Sequence, residues 1–219
     1  QGLDKEKIAA LRRDGFIDAE LGDKLASLLS ALSGPKRLLF KWVEKLVCAL
    51  STHISPDGKD NRAFAIEEGL FSESKSSIVG EGSANGIDLE RFDPDAHRER
   101  GRKIRRDLGI ENEFVVIGSV TRLVRDKGIE ELVRAFEKLG ATLPKAFLLL
   151  VGPREDHRSP LGPEIWKIIE THSRIRWVGP QSDVPAYYAA MDVFVLPSYR
   201  DGFGIVNLEA SAMKLPVIS

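Results

Sequence analysis

Residues 114–151, FVVIGSVTRLVRDKGIEELVRAFEKLGATLPKAFLLLV, contain two apolar runs separated by a helical pattern. The runs 114–120 and 146–151 are rich in Val, Ile and Leu, which is typical of strands buried on both faces of a sheet. Between them, residues 128–139 place apolar side chains at helical spacing. A strand, a crossover helix and a second strand form a βαβ unit with parallel strands. This stretch therefore predicts the first unit of an α/β domain.

The same alternation continues to the end of the sequence. Further strands are predicted at 174–178, 193–196 and 215–218, and further helices at 162–172, 184–190 and 204–214. Repeated βα units imply a doubly wound parallel sheet. Such sheets bind ligands beyond the carboxyl ends of their strands, where loops lead into helix amino termini. Functional residues are therefore expected in residues 121–128 and 197–204.

The region ahead of this alternation is predicted to be helical, with apolar residues at helical spacing through 4–32 and a second helix over 36–50. The second helix carries an apolar stripe made of Leu38, Leu39, Trp42, Val43, Leu46, Val47 and Leu50. Lys36, Arg37, Lys41 and Lys45 lie away from that stripe. Most such stripes pack on a core, but a basic amphipathic helix can also lie on an anionic membrane. Peripheral membrane contact is therefore kept as an alternative.

Composition excludes several classes of protein. The 219 residues include 32 basic and 33 acidic ones, so no global field attracts the chain to nucleic acid. The single cysteine, Cys48, rules out an intrachain disulfide and fits the cytoplasm. No apolar run approaches the roughly 18 residues that a membrane span needs. The sequence starts at Gln1 and stops directly after the apolar run 215–218, so both ends are expected to be truncated.

The first candidate segment combines two cations with the start of a helix. Arg122 and Lys127 flank a turn that leads into the helix at Gly128. Two cations and an electropositive helix start suit an anion such as a diphosphate. The alternative is that these are solvated surface residues, with Arg125 and Asp126 pairing with each other.

The second candidate segment combines glycines with carboxylates. Gly202 and Gly204 let the backbone approach a ligand closely, while Asp201 and Glu209 bracket the following helix. A carboxylate can accept hydrogen bonds from two neighbouring sugar hydroxyls. The alternatives are that Asp201 is only a helix N-cap and that Glu209 is an exposed helix residue.

The run 197–210, PSYRDGFGIVNLEA, resembles the paired-acid motif of retaining GT-B glycosyltransferases of the family 4 type, also called glycosyl transferases group 1. Other landmarks follow in family order: NGIDLERF at 85–92, the segment 122–128, VGP at 151–153, DV at 183–184 and DVFVLPS at 192–198. The loop at 82–86 is similar to one in the subset that builds bacterial surface polysaccharides. The resemblance implies a Rossmann-like, carboxyl-terminal donor-binding domain over 36–219, truncated at its carboxyl end. Residues 1–35 are then a helical lead-in or a remnant of a preceding region.

The resemblance also implies roles for individual residues. Arg122 and Lys127 would neutralise the donor diphosphate, Glu209 would hold the nucleotide ribose, and Asp201 would contact the transferred sugar; these four form the catalytic set. The backbone amides of residues 202–206 would face the donor sugar and phosphate at the helix start. Asp183 and Val184 would border the base. The full donor-binding set is Arg122, Lys127, Asp183, Val184, Asp201, Gly202, Phe203, Gly204, Ile205, Val206 and Glu209.

The implied activity is transfer of a hexose from a UDP- or GDP-sugar to a glycan or lipid-linked acceptor, with retention and with no metal or other cofactor. The acceptor would be bound through an amino-terminal domain that this sequence lacks, so the chain alone is expected to be inactive. The implied location is the cytoplasm, with contact at the inner face of the membrane as an alternative. Two positions depart from the family: Asp201 replaces the usual Glu, and Lys214 replaces a Gly that caps the preceding helix. A non-glycine cap predicts local backbone strain at position 214.

Two other function classes remain open at this point. The first is a noncatalytic module of the same fold that binds a nucleotide or a protein partner. The second is a Rossmann-type oxidoreductase, which is disfavoured because the glycine run 80–86 has one residue too many for a dinucleotide fingerprint. Asp93-Pro94-Asp95 imitates a metal-binding Asp-x-Asp motif, but it precedes a basic helix rather than following a strand, so no metal site is predicted there.

Overall fold

The computed structural model describes residues 34–80, 82, 86–140, 142–157, 159–199 and 204–219. It divides into two compact units, Gln1–Gly86 and Ile87–Ser219. The expected donor-binding domain, 36–219, includes the whole second unit and part of the first. The helical prediction for residues 4–32 lies outside the described residues.

The described part of the first unit contains two helices, α1 (Pro35–Leu50) and α2 (Lys59–Glu67), and a 3₁₀ turn at Glu73–Lys75. A proline in its first turn starts α1, because its missing N–H is not needed there. The Glu68 carboxylate accepts from Arg37 at 2.6 Å and from Lys41 at 2.9 Å, which ties α1 to the end of α2. A single parallel bridge joins Ile54 to Ser76.

The apolar stripe of α1 is exposed. Its seven side chains are between 43% and 78% accessible. Among the described residues of this unit, only Cys48 and Ser76 are buried. The stripe therefore does not pack on a core formed by the described residues, contrary to the commoner expectation. No helix in the described ranges has both the length and the apolar character of a membrane span.

The second unit is built on a five-stranded parallel sheet with the order β3-β2-β1-β4-β5. The strands are β1 (Val115–Val120), β2 (Ala146–Val151), β3 (Ile175–Trp177), β4 (Val193–Val195) and β5 (Val217–Ile218). Every residue of β2 is buried, as expected for a strand covered on both faces. The predicted doubly wound parallel sheet is confirmed.

Helices cover both faces of this sheet. They are α3 (Pro94–Asp107), α4 (Ile129–Leu139), α5 (Pro163–Thr171), α6 (Val184–Tyr188) and α7 (Ile205–Ala212), with a 3₁₀ turn at Arg125–Lys127. Side chains alternate along β2, so that Leu148 and Leu150 enter the core beneath α4 and α5, whereas Phe147 and Leu149 enter the core beneath α6 and α7. Each fully buried side chain of this size stabilises the fold by about 1.5–3 kcal/mol.

The Asp93-Pro94-Asp95 triplet forms the start of α3. The side chain of Asp93 accepts a hydrogen bond from the backbone N–H of Asp95 at 2.9 Å, so Asp93 acts as the helix N-cap. Asp95 pairs with Arg98 in the first turn of the helix. Both carboxylates thus serve the helix terminus.

Lys214 adopts the left-handed conformation that the sequence predicts for the end of the last helix. Its φ is 60°, a region that side chains other than glycine occupy at a cost. The N–H of Leu215 bonds the carbonyl of Ala210, and the N–H of Lys214 bonds the carbonyl of Ser211. This is the hydrogen-bond pattern of a Schellman cap, which glycine usually forms. The predicted strain at position 214 is confirmed.

Candidate functional site

The strand order places the two candidate segments side by side. After β1 the chain builds β2 and β3 on one side, and then crosses to build β4 and β5 on the other. The carboxyl ends of β1 and β4 therefore flank the point where the topology switches. Ligands of open α/β sheets bind in the crevice at this point, since the loops on its two sides diverge.

Hydrogen bonds join the two loops at this crevice. The N–H of Tyr199, after β4, donates to the carbonyl of Asp126, after β1, at 3.0 Å. The hydroxyl of Ser198 approaches the same carbonyl at 3.3 Å. The phenol of Tyr199 donates to Glu131 in the first turn of α4 at 2.9 Å. The two segments that the sequence singles out therefore form one surface.

Glycines allow the backbones of this edge to approach closely. Gly128 has φ 67°, and a Cβ at this position would collide with the carbonyl oxygen of Pro197. Gly152, after β2, has φ 137°, and a Cβ there would collide with the carbonyl oxygen of Thr121. Both positions therefore require glycine for space as well as for conformation.

Arg122 follows β1 directly and is paired. Its Nη1 lies 2.9 Å from Oε2 of Glu155, in the loop after β2. Both side chains are half-exposed. The sequence did not identify Glu155, although its position just after a strand of the same sheet edge was an available signal.

The charged side chains in the turn that contains Lys127 do not pair as the alternative suggested. Arg125 pairs with Glu130 at 3.0 Å, and the Asp126 carboxylate accepts from the hydroxyl of Ser159 at 2.8 Å. The pairing of Arg125 with Asp126 is therefore wrong, since successive side chains of a helical turn do not face each other. Lys127 ends the 3₁₀ turn, directly before Gly128.

Glu209 is half-buried and oriented by another side chain. The hydroxyl of Tyr188 donates to Oε2 of Glu209 at 2.9 Å and lies 3.3 Å from the carbonyl of Val206. Burial raises the pKa of the Glu209 carboxyl above its ordinary value, against the lowering effects of the Tyr188 hydrogen bond and the Arg91 charge. Burial and the Glu209 charge raise the pKa of Tyr188, so its phenol stays a donor. The interpretation of Glu209 as an exposed helix residue is therefore wrong.

The first turn of α7 follows β4 in the chain. Gly204 precedes it in the left-handed conformation, with φ 63°, and Ile205 and Val206 begin the helix. The first N–H groups of a helix have no partner within it and can face an anion. Asn207, which the sequence did not single out, has a buried Oδ1 that accepts no hydrogen bond within the described ranges. Asp201, Gly202 and Phe203 lie outside the described residues.

Asp183 precedes α6, at the end of the loop that follows β3. Its carboxylate accepts from Arg100 at 3.2 Å and lies 3.8 Å from Nδ1 of His97, both on α3. The side chain of Val184 packs against the core. Because α6 has five residues, Asp183 lies only about 7 Å along the helix axis from Tyr188, which orients Glu209.

The structure thus places the described members of the predicted site at the carboxyl edge of one sheet. These are Arg122, Lys127, Asp183, Val184, Gly204, Ile205, Val206 and Glu209. Their roles toward a ligand remain predictions. Such an edge can offer cations, helix N–H groups and an oriented carboxylate to a ligand that carries both phosphates and hydroxyls.

Relatives of the chain are glycosyltransferases. The sequence is 31% identical over 193 residues to the capsular polysaccharide biosynthesis glycosyltransferase CapM of Staphylococcus aureus, covering 87% of this chain and 49% of that protein. It is 27% identical to the UDP-Gal:alpha-D-GlcNAc-diphosphoundecaprenol alpha-1,3-galactosyltransferase of Escherichia coli, covering 83% of this chain and 46% of that protein. The chain therefore spans about half the length of these relatives.

Among solved structures, Anabaena HepE in complex with UDP and glucose superposes with a TM-score of 0.68 at 22% identity. The match covers 82% of this chain and 47% of HepE. At this level of identity the likeness shows a shared fold. The family model for glycosyl transferases group 1 matches residues 101–219, which is more than half of the sequence. The chain therefore belongs to the glycosyl transferases group 1 family.

Proposed function

We propose that this protein binds the donor in a glycosyltransferase that moves a hexose from a UDP- or GDP-sugar to a glycan or lipid-linked acceptor. The observation that carries this proposal is the single surface formed by the loops after β1 and β4, with the Glu209 carboxylate fixed beside it. The family supports sugar transfer. The names of the E. coli relative and of the HepE complex support a uridine nucleotide and a lipid-linked acceptor. CapM supports a role in surface polysaccharide synthesis.

In this proposal the leaving diphosphate is stabilised by the protein itself. Arg122 and Lys127 supply positive charge, and the N–H groups of residues 204–206 supply the positive end of α7. Preorganised donors aimed at developing charge are commonly worth about 3–4 kcal/mol each in the transition state. In this proposal these side chains and N–H groups stabilise the leaving diphosphate by themselves, so transfer would proceed without a metal ion. We also propose retention of anomeric configuration, as in the family motif at 197–210.

Glu209 is proposed to hold the nucleotide ribose. The Tyr188 hydroxyl donates a hydrogen bond to Oε2 of Glu209. This bond fixes the carboxylate, and Oε1 can then accept a hydrogen bond from a ribose hydroxyl. A carboxylate held in one orientation loses little conformational entropy when the ligand binds. Asp201 would contact the transferred sugar, and Asp183 with Val184 would border the base.

The acceptor is proposed to bind to the half of the relatives that this chain does not span. Holding donor and acceptor in reactive geometry can contribute about 7–11 kcal/mol to lowering the barrier. The 219 residues are therefore expected to bind donor without transferring sugar. Incubation with labelled nucleotide sugars and a lipid and glycan extract, beside a full-length homologue, checks this. Transfer by these residues at a comparable rate would place the acceptor site within them.

Calorimetric titration with UDP, GDP and ADP tests donor binding. At least one should bind, and Glu209→Ala should weaken it, because the ribose contact is lost. Glu170→Ala is the matched control, since Glu170 is an exposed carboxylate near the end of α5. The proposal fails if no nucleotide binds to the folded protein, or if both variants bind equally well.

The exposed stripe of α1 supports peripheral contact with the inner face of the membrane as a second property. Trp42 is 66% accessible and lies among six other exposed apolar side chains. Such a face can enter the headgroup region of a bilayer. Cosedimentation with anionic vesicles should fall for Trp42→Glu and fall less for Ala63→Glu, which adds the same charge on the exposed side of α2. Equal sedimentation of both variants would mean that the stripe does not bind the membrane.

A further inference from the structure

Glu155 contacts Arg122, a residue proposed to bind the diphosphate, and the proposed function gives Glu155 no role. Its carboxylate lies 2.9 Å from Nη1 of Arg122. The side chains are 46% accessible for Arg122 and 32% for Glu155, so the pair is open to an incoming ligand. A guanidinium has five N–H donors, and this contact occupies a single nitrogen.

The backbone fixes Glu155 beside Arg122. The N–H of Leu123 donates to the carbonyl of Pro153 at 2.9 Å, and a parallel bridge joins Leu123 to Arg154. These contacts continue the β1–β2 ladder beyond the strand ends. The loop after β2 therefore runs along the segment after β1, and the pair is a consequence of sheet register.

The carboxylate of the next residue, Asp156, pairs with a different cation. Asp156 accepts from Nε of Arg154 at 2.8 Å. The guanidinium of Arg154 in turn lies 4.4 Å from the ring centroid of Trp166. Two acidic residues that are adjacent in sequence thus have different cationic partners. This difference provides a control for the effect of local charge.

We propose that Glu155 competes with the diphosphate for Arg122 and thereby favours release of the nucleoside diphosphate product over release of the sugar-linked donor. The proposal rests on the proposed function, in which Arg122 contacts the diphosphate. A nucleotide sugar carries about two negative charges on its diphosphate, whereas the free nucleoside diphosphate carries nearly three at neutral pH, since its terminal phosphate has a second pKa near 6. A carboxylate beside the binding cation repels the more highly charged product more strongly.

The expected size of the effect of Glu155 on nucleotide binding follows from the exposure of the Arg122–Glu155 ion pair. Exposed ion pairs of this kind correspond to a factor of about 1.5 to 5 in an equilibrium constant. Removing the Glu155 charge should therefore tighten UDP binding by about 1.5- to five-fold. UDP-glucose should gain a smaller factor. A full-length homologue with the same ion pair should then release the nucleoside diphosphate faster with this carboxylate than without it.

Titration of the 219-residue protein with UDP and UDP-glucose tests the proposal. Glu155→Gln should tighten UDP binding by the stated factor and UDP-glucose binding by less. Asp156→Asn should leave both unchanged, because it removes the same charge from Arg154 rather than from Arg122. In an Arg122→Ala background, Glu155→Gln should have a smaller effect on both ligands, because only the direct repulsion between the carboxylate and the diphosphate remains. Thermal melts confirm that each exposed substitution leaves the fold intact.

Three results would overturn the proposal. Weaker UDP binding by Glu155→Gln would show that Glu155 orients Arg122 for the ligand. Equal gains for UDP and UDP-glucose would show that it does not discriminate product from donor. An equal gain in Asp156→Asn, or a gain of undiminished size without Arg122, would assign the effect to general charge. Absence of nucleotide binding by the unsubstituted protein would be a separate failure, that of the proposed function and of this inference with it.

Discussion

Removing one oxygen atom, with Tyr188→Phe, tests how Glu209 is held. The phenol of Tyr188 is fully buried and donates to the half-buried Glu209 carboxylate at 2.9 Å. A hydrogen bond to a charged group typically contributes about 1.5–3 kcal/mol, and the phenylalanine ring retains the packing of Tyr188 in the core. We therefore expect a loss of about 1.5–3 kcal/mol in the free energy of unfolding at neutral pH. For a protein of this size that lowers Tm by about 3–12 °C.

The loss should depend on pH in a defined direction. Burial raises the pKa of Glu209, so the folded state binds a proton more readily than the unfolded state does. Stability from this residue is therefore greatest below its unfolded pKa and falls as pH rises toward its folded pKa. Tyr188 opposes that fall, because its hydrogen bond favours the ionised form. Below the folded pKa the bond is between neutral groups, and Tyr188→Phe should cost only about 0.5–1.5 kcal/mol.

Urea denaturation at neutral and at acidic pH measures both quantities. Tyr187→Phe is the matched control, because it removes a phenol from the neighbouring position of α6 without touching Glu209. The reasoning is refuted if the two variants lose equal stability at neutral pH, or if the loss in Tyr188→Phe does not shrink on acidification. Titration with uridine completes the test, since a misoriented Glu209 should also weaken nucleoside binding.

Three further outcomes are expected. Arg122→Ala and Lys127→Ala should each weaken UDP binding by about 1.5–3 kcal/mol and change uridine binding much less; calorimetry with both ligands contradicts the diphosphate assignment if the losses are equal. Lys214→Gly should raise the free energy of unfolding by about 0.5–1 kcal/mol, because relief of the left-handed strain exceeds the entropy that glycine adds to the unfolded chain, whereas Lys214→Ala should give no gain in the same urea assay. Uridine affinity should fall on acidification with a midpoint above that of an ordinary glutamate, as the raised pKa of Glu209 requires, and Glu209→Gln should abolish this dependence.

The sheet was predictable because its strands are apolar runs of the right length between helical patterns. The ends of β2 match the prediction residue for residue, since all six residues are buried and are flanked by Lys145 and Gly152. At β4 and β5 the prediction is too long. Leu196 and Leu215 belong to apolar runs and pack in or against the core, but they lie just outside β4 and β5. Hydrophobicity reports burial, whereas a strand boundary also depends on where the neighbouring strand stops.

The partners of the site side chains were harder to predict than the positions of these residues at the edge of the sheet. Arg122 and Glu209 could be placed at the binding edge from sequence, because both follow strands of the sheet. Their contacts to Glu155 and Tyr188 join residues far apart in the chain and depend on strand order and helix orientation. The strain at Lys214, by contrast, could be predicted from sequence. The conformation of a helix cap depends on residues close together in the chain, so one unusual residue in a recognisable motif was sufficient to predict the strain.

The strand order has a kinetic consequence. Residues 114–151 supply two neighbouring strands from one continuous stretch, whereas Ile117 must also pair with Val193, far along the chain. Closing that long loop costs entropy before its contacts form, so the crevice between β1 and β4 should be completed late in folding. Interactions that form after the transition state slow unfolding and leave the folding rate unchanged. A nucleotide in this crevice should thus extend the lifetime of the native state without helping the chain to reach it.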